Sequence, residues 1–196
     1  ISEQDKKYII HEEHHKIEII PNGVDLDYYQ PLSHPKDFDL LFTGNMSYPP
    51  NINCAQYLVQ EIMPLVWVKR PETNFLISGT SPSPEVLALG SKKITISGWV
   101  DDMRISYARS KVFVAPMQIG TGLQNKLLEA MAMKIPCITS PLANAPLGAK
   151  VGEEIMVGHS KEELANLIIT LLSDEDLSNS LGEHGRLFVQ NQYSWD

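Results

Sequence analysis

The sequence is short of cysteine, of long apolar runs and of positive charge. Two cysteines, Cys54 and Cys137, occur in 196 residues, too few for a disulfide framework in a chain of this size. Each lies in an apolar-patterned segment, where a free thiol acts as a small hydrophobe. A reducing, cytoplasmic compartment is therefore expected. No apolar run reaches the roughly eighteen residues that a spanning helix needs. The start, ISEQDKKYII, has neither the basic beginning nor the apolar stretch of a signal peptide. It also lacks a methionine, so a piece of a longer chain is expected. Against 24 acidic residues stand 16 lysines and arginines, a net charge of −8. That balance argues against a nucleic-acid partner. It leaves room for a small phosphorylated ligand, which backbone amides at a helix N-terminus can hold locally.

What is present is the composition of a globular protein, 43% hydrophobic and 20% charged, long enough to bury one sizeable core. Several short runs read as strands: KIEII (16–20), DLLFTG (39–44), NFLISG (74–79), KITISG (93–98), KVFVAP (111–116), IPCITS (135–140) and, more weakly, EIMVG (154–158). Most are continuously apolar, as strands buried on both faces are. Helical patterns separate them: NINCAQYLVQEIMPLVWVKR, with Asn51 as its expected N-cap, then PEVLALG, DDMRISYARS and LQNKLLEAMAM. SKEELANLIITLLSD opens on Ser160, with Glu163 completing a capping box. Its acidic polar face marks a surface helix, not a membrane anchor. DEDLSNSLGEHGRLFVQNQ closes the series.

Strand and helix alternate from Asp39 onward, which predicts an α/β fold with a doubly wound parallel sheet, Rossmann-like, and helices on both faces. Residues 36–196 form that domain. Residues 1–35 read differently, as one helix, one strand and a turn-rich linker containing Pro21, Asn22, Gly23, Pro31 and Pro35. They are expected to be the tail of a preceding domain and its connector.

Open α/β sheets bind ligands at the carboxyl ends of their strands. Three such ends carry glycine or small residues: Gly44 and Asn45; Gly98 and Trp99; and Gly120, Thr121 and Gly122. The last lead into a helix whose first turn holds Lys126, although a cation there opposes the helix dipole by about 0.3–1 kcal/mol. Beside a bound phosphate the same lysine adds a charge-assisted hydrogen bond. Glu129, one turn on, offers two acceptor oxygens suited to paired ribose hydroxyls. An ordinary i,i+3 surface pair explains the two residues equally well at this stage.

The chain resembles, over nearly its whole length and in order, the retaining glycosyltransferases of family 4, which have the GT-B fold. SEQD (2–5) is similar to an element late in that family's N-terminal domain, and IIPNGVDLDYYQP (19–31) to the connector into the C-terminal domain. LLFTGNM, FLISG and ITISGWVDD resemble its first three strands. VFVAPMQIGTGLQNKLLEAMAMKIPCITS is the strongest match, and YSWD (193–196) resembles the approach to a last crossover helix. The resemblance implies a C-terminal domain that binds a nucleoside-diphosphate sugar, with no metal or other cofactor, while the acceptor binds an N-terminal domain in the same full-length chain. It implies sugar transfer with retention of anomeric configuration, with Lys126 and Glu129 as the catalytic pair. Glu129 would hold the ribose. Lys126 and the amides of Gly120, Thr121, Gly122 and Leu123 would meet the diphosphate and sugar. Gly44 and Asn45 would close over the phosphates, and Gly98, Trp99 and Val100 would meet the base. No membrane contact is expected from this segment, and peripheral attachment of a full-length enzyme at the inner membrane is compatible with that.

Three positions depart from the family pattern. Thr121 stands where many members have the first glutamate of a pair, Asn45 where many have an arginine, and Gln118 where a basic residue is common. Each removes a charge. They favour an alternative, a nucleotide-sugar-binding module without catalysis. Other readings fare worse. HEEHH (11–15) matches a zinc-protease pattern but lies at a helix end without a convincing third ligand. A dinucleotide oxidoreductase is opposed by GNMSYPPN, which lacks the G-x-G-x-x-G turn. Trp99 either stacks on a base or packs over the sheet edge. Tyr48, Pro49 and Pro50 are expected to shape the first loop.

Overall fold

The chain is described by a computed structural model that places Lys6 and residues 9–20, 22–120 and 122–195. The strands are β1 Phe38–Thr43, β2 Phe75–Ser78, β3 Ile94–Ile96, β4 Ser110–Ala115, β5 Cys137–Thr139 and β6 Met156–Val157. All neighbours pair in parallel, in the order β3-β2-β1-β4-β5-β6. This is the doubly wound order, and it reverses between β1 and β4. The central strands are dry on both faces. Leu40, Leu41 and Phe42 on β1 and Val112, Phe113 and Val114 on β4 have no exposed surface, which is why they read as unbroken apolar runs.

The helices are α1 Pro49–Tyr57, α2 Met63–Lys69, α3 Pro84–Leu87, α4 Met103–Ala108, α5 Asn125–Ala132, α6 Pro141–Leu147, α7 Lys161–Ser173 and α8 Glu175–Gln192. Between α1 and α2 the chain makes one π turn, Leu58–Ile62. Pro64, just inside α2, has no N–H to give to the preceding turn, and the widened turn absorbs that loss. Pro49 and Pro50 open α1 and do not belong to the loop before it, because proline suits the first helical turn, whose N–H groups have no partner anyway. Asn51 therefore lies inside the helix and is not its N-cap, a place taken by Tyr48. The serine half of the expected capping box of α7 forms, Ser160 Oγ accepting from the Glu163 N–H (3.2 Å), while Glu163 Oε2 reaches one residue further back and accepts from the His159 N–H (2.8 Å) in place of the Ser160 N–H.

Among residues 9–20 the described structure is a single 3-10 turn, His14–Lys16. KIEII is not a strand: Ile20 is 76% exposed, the run stands outside the sheet, and the proline that follows cannot donate to a ladder. HEEHH spans a turn at residues 12–13 and the start of that 3-10 helix, so His11 and His15 do not share an α-helical face. Ser2–Asp5, the SEQD stretch of the resemblance, lie outside the described residues, as does Asp196 of YSWD.

Asn22–Gln30 runs back along the domain. Val24 is buried and bridges Ser194, and its N–H donates to the Tyr193 carbonyl (2.8 Å). Leu26 and Tyr29 pack on the main core. Arg104 stacks on the Tyr28 ring, 3.9 Å from its centroid, and donates to the Tyr28 carbonyl (3.1 Å).

Candidate functional site

The site lies where strand order reverses, at the carboxyl ends of β1 and β4. The backbone there is crowded. A Cβ on Gly79, after β2, would stand 1.9 Å from the Gly44 carbonyl, after β1. The Gly79 N–H donates to the Gly98 carbonyl, after β3 (3.2 Å). The three glycines thus step along the edge in contact. Gly44 takes φ +157° and Gly79 +143°, and a side chain fits at neither. After β4 the chain is held from below: Thr139 Oγ1 donates to the Ala115 carbonyl (2.7 Å) and Ser140 Oγ to the Met117 carbonyl (2.5 Å). Beyond that anchor, Cβ atoms on Gly120 or Gly122 would meet nothing within 4 Å, so this loop is open to an incoming group. Thr121, between them, lies outside the described residues.

Helix α5 leaves this loop with Gln124 at its N-cap and no side-chain hydrogen bond there. By contrast α3, α4, α6, α7 and α8 are each capped by a serine or aspartate oxygen. The uncapped end leaves N–H groups and their dipole facing the crevice. Lys126, the second helical residue, reaches across to β1 and α1. Its Nζ donates to Asn51 Oδ1 (2.5 Å) and sits 4.6 Å from the centroid of Phe42. Asn51 is 6% exposed and donates its Nδ2 to the Asn45 carbonyl (2.9 Å), so one amide ties the lysine to the loop over it. Burial pushes the Lys126 ammonium down to about 8, partly offset by the Cys54 thiol and the Glu129 carboxylate.

Glu129 points elsewhere. Its Oε2 accepts from the Tyr107 hydroxyl (2.8 Å), which lies 2.9 Å from Thr43 Oγ1. The phenol of Tyr29, whose ring stands edge-on to Tyr107, favours the charged form of the same carboxylate. Burial raises the Glu129 pKa, against the pull of Tyr107, Tyr29 and Lys126. Burial, then Glu129, raise Tyr107 well above the usual phenol range, so it stays a donor. Among the described residues Lys126 and Glu129 do not form an ion pair, and the i,i+3 surface-pair reading fails. A lysine aimed at the crevice, and a carboxylate held by phenols one turn behind it, can bind an anion and a polyol together.

The remaining expected residues are disposed unequally. Asn45 is exposed, and its Oδ1 accepts from the N–H and hydroxyl of Ser47 (3.0 and 2.8 Å), which turns it into its own loop. Trp99 is 72% exposed, touching Asp101 Oδ1 through Nε1 (3.4 Å); it does not pack over the sheet edge. Gly98 has φ +68° with open space where a Cβ would be. Val100 and Leu123 are partly buried, and Gln118 is exposed. Sequence reading missed Asn51, Tyr107 and Tyr29. A separate cavity of about 440 Å³ opens at the opposite, amino edge of the sheet, among Lys36, Lys111 and Lys134. Each of these already has a partner: the Ser110 carbonyl (2.8 Å), Asp39 (2.8 Å) and Glu183 (2.6 Å).

Known proteins give this geometry a setting. The family described as Glycosyl transferases group 1 matches residues 37–174. The GDP-mannose-dependent monoacylated alpha-(1-6)-phosphatidylinositol monomannoside mannosyltransferase of Corynebacterium glutamicum is 27% identical over 205 residues, covering 93% of this chain and 54% of that protein. A glycosyltransferase from Rickettsia africae superposes with TM-score 0.78 at 20% identity, over 98% of this chain and 58% of its own. Anabaena Alr3699/HepE, solved with UDP and glucose, superposes with TM-score 0.74 at 14% identity, over 90% and 53%. The chain thus spans about half the length of the curated relatives it matches. Its sheet is the Rossmann-like half of the GT-B fold, and the chain belongs to the group 1 glycosyltransferase family.

Proposed function

We propose that the chain is the donor-binding half of a sugar-transferring enzyme and takes a nucleoside-diphosphate sugar in the crevice between β1 and β4. One observation carries this reading: Lys126 and Glu129 stand one turn apart on the uncapped start of a helix that opens on the crevice, each held by separate partners. The diphosphate lies on Lys126 and on the amides from Gly120 to Leu123. Glu129 takes the ribose hydroxyls, Gly44 and Asn45 flank the phosphates, and Gly98, Trp99 and Val100 border the base. The GDP-mannose dependence in the Corynebacterium protein's name and the UDP held by the Anabaena protein support this class of ligand. Lys126 and the helix dipole meet the diphosphate's charge without a metal ion, so a chelator leaves binding unchanged.

In the full-length protein an N-terminal domain, joined through residues 1–35, presents the acceptor. The bond from the anomeric carbon to the diphosphate oxygen breaks, its electron pair staying on the diphosphate. A bond to an acceptor hydroxyl forms on the same face, and that hydroxyl's proton passes to the departing phosphate oxygen. Lys126 and the start of α5 stabilise the growing charge. This chain alone binds donor and transfers nothing. A second reading, a binding module without catalysis, is favoured by Asn45, which brings no charge to the phosphates and whose amide oxygen is turned into its own loop. Sugar transfer by the full-length protein separates the two.

A thermal-shift screen of nucleoside diphosphates and their sugars tests the proposal. A ligand at a hundred times its dissociation constant stabilises by about 2.7 kcal/mol. Loss of that shift in Glu129→Ala supports the ribose contact. An unchanged shift refutes it.

A further inference from the structure

We infer that Tyr107 and Tyr29 are positioning residues for Glu129, and that through Tyr29 the segment Asn22–Gln30 sets the aim of the donor carboxylate. The inference rests on the ribose role proposed for Glu129 and deepens it. Helix α5 is gripped along its length. At its start, Asn22 Nδ2 donates to Asn125 Oδ1 (3.1 Å). In its middle, Tyr107 donates to Glu129 (2.8 Å), and the Tyr29 phenol favours the charged form of the same carboxylate. At its end, Arg186 donates to the Ala132 carbonyl and to the Tyr29 carbonyl (3.2 Å). Tyr29 is thus tied to α5 twice, through Tyr107, which holds Glu129, and through the shared arginine. Its ring stands edge-on to Tyr107, centroids 6.5 Å apart.

The chemistry explains the need. A partly buried carboxylate left alone takes up a proton or swings toward water. An ionised carboxylate accepts from both ribose hydroxyls, whereas a protonated one gives up part of that capacity. Phenols whose own ionisation is suppressed remain fixed donors and hold the carboxylate both charged and aimed. The segment carrying Tyr29 leads into β1 from residues 1–20, so displacing that segment releases Glu129. Donor affinity is then coupled to how the preceding part of the chain is seated.

The test is calorimetric titration of UDP and of GDP into the native chain, Glu129→Ala, Tyr107→Phe and Tyr29→Phe, from about pH 5 to about pH 8. Thermal melting confirms that each variant is folded. The titratable groups facing Glu129 are Tyr107 on α4, Tyr29 before β1 and Lys126 on its own helix. Native binding weakens on the acid side as Glu129 and the nucleotide's terminal phosphate take up protons, and Glu129→Ala removes the Glu129 share of that limb. Tyr107→Phe weakens binding about three- to tenfold near neutral pH, the worth of one hydrogen bond, and Tyr29→Phe weakens it in the same direction. Each also moves the acid limb to higher pH, which a merely structural loss does not. Native affinity and a native limb in both phenylalanine variants, with Glu129→Ala weakened, overturn the inference and leave the ribose role standing. Unchanged binding by Glu129→Ala overturns the ribose role, and the inference with it.

Discussion

Lys126 is a cation in the first turn of a helix, inside protein, beside an aromatic ring and a buried amide. Its surroundings favour loss of the proton, down to about 8. A diphosphate brought beside it restores the ammonium, so binding near pH 8 takes up protons. The enthalpy of UDP or GDP binding there should depend on the ionisation heat of the buffer, and Lys126→Met should abolish that dependence. Glu129 presents the opposite sign. Its folded pKa is raised, so the folded state binds the proton more readily than the unfolded state. Its contribution to stability therefore falls as pH rises from the ordinary value through the raised one. Glu129→Gln should raise the melting temperature at neutral pH while losing donor stabilisation, the sign of a group kept for binding. The sequence displayed both residues because each is unusual in its place. It hid Asn51, Tyr107 and Tyr29. Asn51 sits 75 residues from Lys126, and tyrosines in DYYQP and ISYARS look like ordinary core aromatics until the fold brings them to one carboxylate.

At the scale of elements, the strands were legible wherever burial on both faces left an unbroken apolar run, as in β1 and β4. KIEII misled because an apolar run that lies outside the sheet and runs into a proline is not a strand. Helix α6 escaped notice although Ser140, Pro141 and Gly148 supply its N-cap, its opening proline and a left-handed C-cap. Seven residues with an internal proline show too little period to read. The glycine edge belongs to this scale too. Gly79→Ala must push the β1 and β2 loops apart and take a backbone shape alanine resists, so it should cost at least about 1–3 kcal/mol and weaken donor binding together with stability. Ser160→Ala, at the cap of α7 away from the crevice, should cost about 1 kcal/mol and leave binding per folded molecule unchanged. Urea unfolding of the two variants, paired with nucleotide titration, checks both.

For the molecule as a whole, the doubly wound order puts the loops of Gly44, Gly79, Gly98 and Gly120 on one edge. The opposite edge holds lysines already engaged with acidic groups or a carbonyl. Among the described residues no helix is long and apolar enough to cross a membrane. The chain spans about half of its curated relatives, and catalysis is proposed to need the remainder. The 196-residue chain should bind donor without releasing sugar to any acceptor. Radiolabelled sugar transfer by the purified chain would contradict that.

The central claim is the place of the ligand. The most direct measurement is a crystal structure of this chain with UDP or GDP bound. The account predicts phosphate oxygens within hydrogen-bonding distance of Lys126 Nζ and ribose hydroxyls on Glu129, between the ends of β1 and β4. A nucleotide seated instead at the amino edge, among Lys36, Lys111 and Lys134, would contradict it.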